Sequence, residues 1–306
     1  MNKWSLLVIL GLLWAPSFIF IKIGLQDGIP PITLAAGRIL LAGIILFVVL
    51  KWRGGRLPTS WAMWRKFAVM GFFATAFPFA LFAIGEQYAE SALAAIFNGA
   101  TPIATAAIAH FFIEDERLTP ARLIGVLTGF AGILTIFLPG LIGATLSTGS
   151  IWGMVAFAVA AVCYGISIVF ARKELRGLAP LVAPTAQLIV SSIMLVPAAL
   201  LFDPPMTTLP GLKGLGAVLF LAVFGTALAY IAYYRMLEIA TATFISLVTY
   251  FLPPIGVFLS VIFMDEKLGW NALAGCALIS CGLLIMNGVV GHVSRRFRRS
   301  PVLPLE

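Results

Sequence analysis

Apolar residues along this chain form ten long blocks, and short polar breaks separate each block from the next. Most blocks approach 20 residues, the length of helix that spans the hydrocarbon core of a bilayer. The breaks combine charges with proline and glycine, as in KWRGGRLPTS, EDERLTP and DPPMTTLPG, and such residues end helices. The pattern predicts ten transmembrane helices, at about residues 4–25, 32–50, 66–86, 90–113, 120–138, 151–172, 180–202, 213–236, 240–264 and 269–290.

Composition agrees with this pattern, because 61% of the residues are hydrophobic and only 10% are charged. A soluble protein of this length carries far more charge. We therefore predict an all-α polytopic membrane protein that lies in a lipid bilayer and has no separate soluble domain. The first apolar block is too long for the core of a signal peptide, so we expect it to remain as a helix. Cys163, Cys276 and Cys281 lie inside apolar blocks, which indicates neither a disulfide framework nor a metal site.

The net charge of +8 bears on topology, whereas in a soluble protein it would favour a nucleic-acid partner. The N-terminus, the C-terminus and the connections after spans 2, 4, 6 and 8 hold 16 of the 20 lysines and arginines. By the positive-inside rule, both termini are expected in the cytoplasm. The expected location is the cell (inner) membrane, and no nucleic-acid partner is expected.

The sequence resembles itself when it is shifted by 150 residues. DERL at 115–118 aligns with DEKL at 265–268. Each repeat holds five predicted spans, and an odd number inverts the second repeat in the membrane. Two inverted five-helix repeats are typical of secondary transporters. The predicted units are residues 1–145, residues 146–292 and a basic cytoplasmic tail at 293–306. Aligned pairs include Ser17 with Ser167, Pro30 with Pro180, Gly125 with Gly275 and Gly132 with Gly282.

The opening of the chain, LLWAPSFIFIKIGLQDGIPPITLAAGRILLAG, resembles that of EamA-type transporters of the drug/metabolite transporter superfamily. Trp14, Lys22, Pro30 and Arg38 occupy the positions of the family's usual pattern. The segments beginning NGATPIATAAIAHFF and YFLPPIGVFLSVIFM both resemble the family's repeat ending, with a proline, an apolar helix, an acidic turn and a glycine-spaced helix. Ala15 departs from the pattern, since glycine is common there. The resemblance implies a five-plus-five architecture and export of small metabolites, amino acids prominent among them.

Polar and aromatic side chains recur inside the predicted spans, where hydrocarbon does not favour polar groups. Trp14, Ser17 and Phe18 share one face of span 1 at helical spacing. A site built from such residues would be aromatic and rich in hydroxyls, which suits a small amphipathic or zwitterionic solute. The candidate substrate-binding residues are Trp14, Ser17, Phe18, Arg38, Asn98, Thr101, Tyr164, Ser167, Tyr230, Tyr234 and Tyr250.

Each candidate also has a structural interpretation. Serine and threonine hydroxyls in membrane helices often bond to their own backbone, and tryptophan and tyrosine often lie at membrane interfaces. Arg38 lies about 9 Å into its helix, where it meets either a substrate carboxylate or a structural partner. Lys22 lies nearer the outer helix end, where snorkelling accounts for it.

No P-loop, HExxH or GxSxG motif occurs in the sequence, so we expect no cofactor, no metal, no catalytic residue and no enzyme activity. Glu86 and Glu90 are interpreted as loop charges beside an outer turn. Because no acidic residue lies at the centre of a predicted span, facilitated diffusion and exchange stay open beside proton coupling. The leading hypothesis is a small-metabolite exporter that works by alternating access. A lipid or lipid-carrier translocase is the alternative, and a membrane-embedded enzyme is less favoured.

Glycines spaced along span 5, at Gly125, Gly129 and Gly132, predict close helix packing. Packing against span 10 within the chain is favoured, and a homodimer face is the alternative. The acidic residues of DERL and DEKL are expected to complement the N-terminus of the helix that follows each turn.

Overall fold

The computed structural model describes residues 2–89, 91–142, 148–179, 181–206, 209–255 and 269–286. Within these ranges the chain is helical or in short connections, and no strand occurs. We number the helices of these described ranges in chain order: α1 Lys3–Gln26, α2 Pro31–Trp52, α3 Trp61–Tyr88, α4 Ser91–Asn98 with Thr101–Phe112, α5 Pro120–Leu141, α6 Thr148–Glu174, α7 Val182–Phe202, α8 Leu212–Ile239, α9 Ala242–Ile255 and α10 Trp270–Met286.

Eight of these helices, α1 to α8, are long and apolar enough to cross a membrane. The chain is therefore a multi-pass membrane protein. The predicted spans and the observed helices agree within a few residues at each described end. The described parts of α9 and α10 are shorter apolar helices. The rest of predicted span 9, the DEKL turn and the basic tail lie outside the described residues.

Several helices are interrupted near their middle. In α1 regular helix ends at Trp14 and resumes at Ser17, because Pro16 has no backbone N–H to donate. In α4 two turn residues separate Asn98 from Thr101. Helices α3 and α8 each contain a π-helical segment, at Phe72–Ala76 and Val223–Leu228. A π segment offsets the hydrogen-bond ladder and changes which backbone groups are paired within the helix.

The glycine face of α5 packs against α10, as favoured from the sequence. A Cβ added to Gly132 would stand 2.6 Å from the Gly275 carbonyl oxygen, and one added to Gly125 would stand 2.8 Å from that of Gly282. Side chains at these positions would force the two helices apart. The predicted close packing therefore occurs within the chain.

The acidic turn before α5 has a different role from the one we expected. The Glu116 carboxylate accepts hydrogen bonds from the backbone amides of Ala242 and Thr243, at 2.9 and 3.2 Å, and pairs with Arg172 at 3.4 Å. The acid thus stabilises the N-terminus of α9, not that of the following helix α5. Sequence proximity to α5 suggested the wrong helix, because the long-range contact with α9 is not visible in the local pattern.

Candidate functional site

A cavity of about 100 Å³ lies between α1, α2, α3, α4, α6, α8 and α9. Its lining is mostly apolar and aromatic, and Arg38 is its one charged residue among the described residues. Cavities with a few converging polar groups are the usual form of small-molecule sites. Nine predicted site residues lie in the lining: Trp14, Ser17, Phe18, Arg38, Asn98, Thr101, Tyr164, Ser167 and Tyr230.

Two predicted site residues, Tyr234 and Tyr250, lie outside this lining. The Tyr234 hydroxyl donates to Gln187 Oε1 at 2.6 Å. The Tyr250 hydroxyl donates to the Val126 carbonyl at 2.6 Å, and its ring packs against Gly129. Both side chains are buried and connect neighbouring helices. Helical spacing predicts the side of the helix on which each residue lies. It does not predict which other helix packs against that side.

The π segments of α3 and α8 bring backbone carbonyls into hydrogen bonds with side chains that line the cavity. The carbonyl of Ala74 accepts from the Tyr230 hydroxyl at 2.8 Å. The carbonyl of Gly225 accepts from Trp14 Nε1 at 3.1 Å and from Arg38 Nη2 at 3.2 Å. Such contacts satisfy polar backbone groups that hydrocarbon cannot hydrate. Both π segments are thereby tied to the cavity wall.

Arg38 is 4% exposed and is held without an acidic partner among the described residues. Besides its bond to the Gly225 carbonyl, its Nε donates to Thr226 Oγ1 at 3.1 Å. Its Cζ lies 4.3 Å from the centre of the Phe79 ring, within the range of a cation–π interaction. Neutral groups therefore position the guanidinium and act as its structural partners, and no ion pair to it occurs among the described residues.

Aromatic rings form two groups around the cavity. The Trp14 ring centre lies 6.3 Å from those of Tyr230 and Tyr233. On another part of the wall, Phe82 stacks on Tyr164 with their ring centres 6.0 Å apart. These distances fall within the range of attractive aromatic pairs. The rings present π faces and apolar surface to a bound solute.

The polar side chains of the lining differ in how they are satisfied. Ser167 donates to the Tyr164 carbonyl of its own helix at 2.9 Å, which is the structural interpretation given for such residues. Within the part of the chain that the structure describes, Asn98 Oδ1 receives a long contact of 3.5 Å from Thr101 Oγ1 and no other side-chain hydrogen bond. Ser17 Oγ and the Tyr233 hydroxyl have no hydrogen-bond partner among the described residues, although both are buried. Those two hydroxyls are the polar groups most available to a ligand.

Some lining residues were absent from the predicted set, notably Phe79, Phe82, Tyr233 and Thr249. Tyr233 follows Tyr230 by three residues, so helical spacing gave a signal for it. Phe79 and Phe82 belong to the phenylalanine-rich run FFATAFPFALF, in which no residue stands out. Glu86 was interpreted as a loop charge, but it lies in α3 and is 5% exposed; Glu90 lies outside the described residues.

The sequence profile of the EamA-like transporter family matches residues 2–138 and 151–288, which is most of the chain. The chain belongs to this family. Family membership confirms the resemblance seen in the opening and repeat-ending motifs. It also identifies the chain as a member of a transporter family.

Several named relatives are similar over nearly their whole length. An uncharacterized transporter of Archaeoglobus fulgidus is 26% identical across 94% of this chain and 99% of that protein. The uncharacterized inner membrane transporter YedA of Escherichia coli K12 is 26% identical across 86% of this chain and 84% of that protein. Protein PecM of Dickeya dadantii is 27% identical across 90% of this chain and 88% of that protein.

A solved crystal structure shares the fold of this EamA-family chain. It superposes with a TM-score of 0.77 at 20% sequence identity, and the alignment covers 97% of this chain and 99% of the other. At this level of identity the likeness establishes the fold alone.

Proposed function

We propose that this EamA-family protein is a secondary transporter that exports small metabolites, with amino acids or related compounds as the first substrate class. The observation that carries the proposal is the cavity itself, a partly open space between helices that is lined by the predicted polar and aromatic residues of α1, α2, α4, α6 and α8. A central site between spanning helices is what alternating access requires. The expected location is the inner membrane, with both termini in the cytoplasm.

Two inverted five-helix repeats, at 1–145 and 146–292, are part of this proposal. The two family matches fall on the two proposed repeats, and the π segments of α3 and α8 are about 150 residues apart. The contacts of α5 with α10 are crosswise: Gly125 meets Gly282, and Gly132 meets Gly275. A twofold relation between repeats would produce such an exchange of partners, because each glycine then contacts the repeat mate of the other.

The lipid-translocase alternative receives less support. It needs cations along a groove for a phosphate group. Of the two cations that favour it, Lys22 and Arg38, only Arg38 is in the described lining of the cavity. The substrate proposed here is a small molecule, and no cofactor is required.

The direct test is counterflow of labelled amino acids in liposomes that contain the purified protein, with and without a pH gradient. We expect saturable exchange for at least one amino acid. Exchange that ignores the gradient would support a facilitator, whereas exchange that follows it would direct attention to Glu86, which is buried in α3. No exchange for any amino acid would reject this substrate class.

The assignment of the cavity is tested by Trp14→Ala and Asn98→Ala. Truncation of a lining side chain removes contacts with the solute, so we expect each variant to slow exchange by about tenfold, equivalent to about 1.4 kcal/mol. Trp61→Ala is the matched control, because Trp61 is 76% exposed and lies outside the cavity. Unchanged rates in both cavity variants, at equal amounts of inserted protein, would contradict the site.

A further inference from the structure

The cavity contains a buried positive charge without a described negative partner. The described contacts of Arg38 are all with neutral groups, and its hydrogen bonds to protein use Nε and Nη2. Among the described residues, no acceptor is bonded to Nη1, although guanidinium offers five N–H donors. An uncompensated charge inside a membrane protein is costly and is usually functional. The guanidinium is thus held in place with donor capacity left over.

Ser17 supplies a second unused polar group close to this guanidinium. Its Oγ is buried and has no hydrogen-bond partner among the described residues. A Cβ added to Gly225 would stand 3.1 Å from Ser17 Oγ and 3.0 Å from Arg38 Nη2. Both atoms therefore lie against the same face of Gly225, where a side chain would crowd them.

In the described lining, the corner formed by Arg38 and Ser17 is the part that favours an anion, because the other residues are neutral. Beyond Arg38 the lining consists of aromatic, aliphatic and neutral polar side chains, with no acidic residue among them. One monoanionic group would neutralise the described lining. A cation or a neutral analogue would leave the arginine unpaired, and an unpaired charge is an effective means of rejecting a ligand.

We propose that Arg38 and Ser17 form the subsite for the substrate's carboxylate, so that the cavity selects carboxylates over their amides and over amines. The proposal rests on the proposed transport function and names the substrate group that this corner of the cavity recognises. The guanidinium and the serine hydroxyl donate to the carboxylate oxygens in charge-assisted hydrogen bonds. The aromatic rings contact the remainder of the substrate.

Binding to the purified full-length protein in detergent tests the subsite independently of transport. The probes are phenylacetate, phenylacetamide and phenethylamine, which share an aromatic ring and differ in charge. They are titrated at constant ionic strength while the unfolding temperature is followed, since a ligand of the native state raises it. We expect phenylacetate to bind at least about tenfold more tightly than either analogue, equivalent to about 1.4 kcal/mol.

Arg38→Gln and Ser17→Ala should each weaken phenylacetate binding, and Arg38→Gln should abolish the preference over the amide. Lys213→Gln, which removes an exposed cation, should retain it. Gly225→Ala should also remove the preference, because its Cβ would crowd the two donors. Gly216→Ala is its matched control in the same helix, since a Cβ there meets nothing within 4 Å.

Equal binding of acid and amide by the wild type, no binding of phenylacetate, or an undiminished preference in Arg38→Gln would overturn the proposal. These outcomes are separable from failure of the transport proposal. A carboxylate preference without any amino-acid counterflow would support the subsite and reject the transported class. Counterflow of an amino acid and its amide at the same rate would support the transporter and reject the subsite.

Discussion

Two clusters, one around Arg38 and one around Gln187, share a hydrogen-bonding plan and differ in charge. Arg38 donates to Thr226 Oγ1, which itself donates to the Leu221 carbonyl at 2.8 Å. Gln187 donates to Thr75 Oγ1 at 3.5 Å, and that hydroxyl donates to the Gly71 carbonyl at 2.8 Å. In both clusters the threonine belongs to a π segment.

The two clusters nevertheless face different surroundings. Arg38 lines the cavity, whereas Gln187 is absent from its lining and is fully buried. The Gln187 amide is occupied by the Tyr234 hydroxyl as well as by Thr75. The hydrogen-bonding groups of Gln187 are therefore used by neighbouring helices, whereas Arg38 keeps N–H groups that a ligand could use. From this contrast we expect the Gln187 cluster to contribute to stability, and the Arg38 cluster to contribute to the proposed transport.

The sharpest way to break the comparison is Arg38→Gln, which gives both clusters the same side chain. Loss of a charge-assisted hydrogen bond costs about 1.5–3 kcal/mol, so we expect exchange of a carboxylate solute to fall roughly 10–100-fold. The measurement is the initial rate in proteoliposomes, normalised to inserted protein. Lys213→Gln is the control for loss of charge, and an unchanged rate in Arg38→Gln would remove the functional half of the contrast.

Gln187→Leu tests the structural half. The substitution removes the Gln187 amide, and with it the bonds to Tyr234 and Thr75. Hydrogen bonds between membrane helices are worth about 0.6 kcal/mol on average. We expect the free energy of unfolding to fall by about 1–2 kcal/mol for the two bonds together, with exchange per folded molecule retained. Unfolding in mixed micelles with increasing denaturing detergent measures the change.

Ser192→Ala is the control on the same helix, because the one described hydrogen bond of its hydroxyl is to the Leu188 carbonyl of that helix. We expect this variant to keep nearly the wild-type stability. Equal losses in both variants would show that the Gln187 cluster is no more than local helix structure. Loss of exchange without loss of stability in Gln187→Leu would instead assign this cluster to function.

The same contrast shows what sequence reasoning can and cannot reach here. Apolar blocks predicted the helices, because spanning length acts locally. The predicted faces placed Trp14, Ser17 and Asn98 in the cavity lining. The neighbour of each face depends on packing between distant helices, which no local pattern encodes. Tyr230 and Tyr234 are four residues apart, yet only Tyr230 lies in the lining.

The π segments are a second feature that the sequence did not reveal. FFATA and VFGTAL contain ordinary residues for a membrane helix. The carbonyls of Ala74 and Gly225 accept hydrogen bonds from Tyr230, Trp14 and Arg38. These partners lie far away in the chain, so no local sequence pattern shows the contacts.

The smallest expected effect comes from Tyr230→Phe, which tests whether the tyrosine bond to the π segment of α3 is structural. Loss of the 2.8 Å bond to the Ala74 carbonyl should lower the free energy of unfolding by about 0.6 kcal/mol, the average for such bonds in membranes. The ring and its packing on Trp14 are retained. Detergent unfolding measures the effect, and Tyr88→Phe is the control, because Tyr88 is 55% exposed. Equal stability of Tyr230→Phe and wild type would show that the Ala74 carbonyl finds another donor. The two π segments would then share their geometry, but the tyrosine bond to the segment in α3 would not contribute to stability.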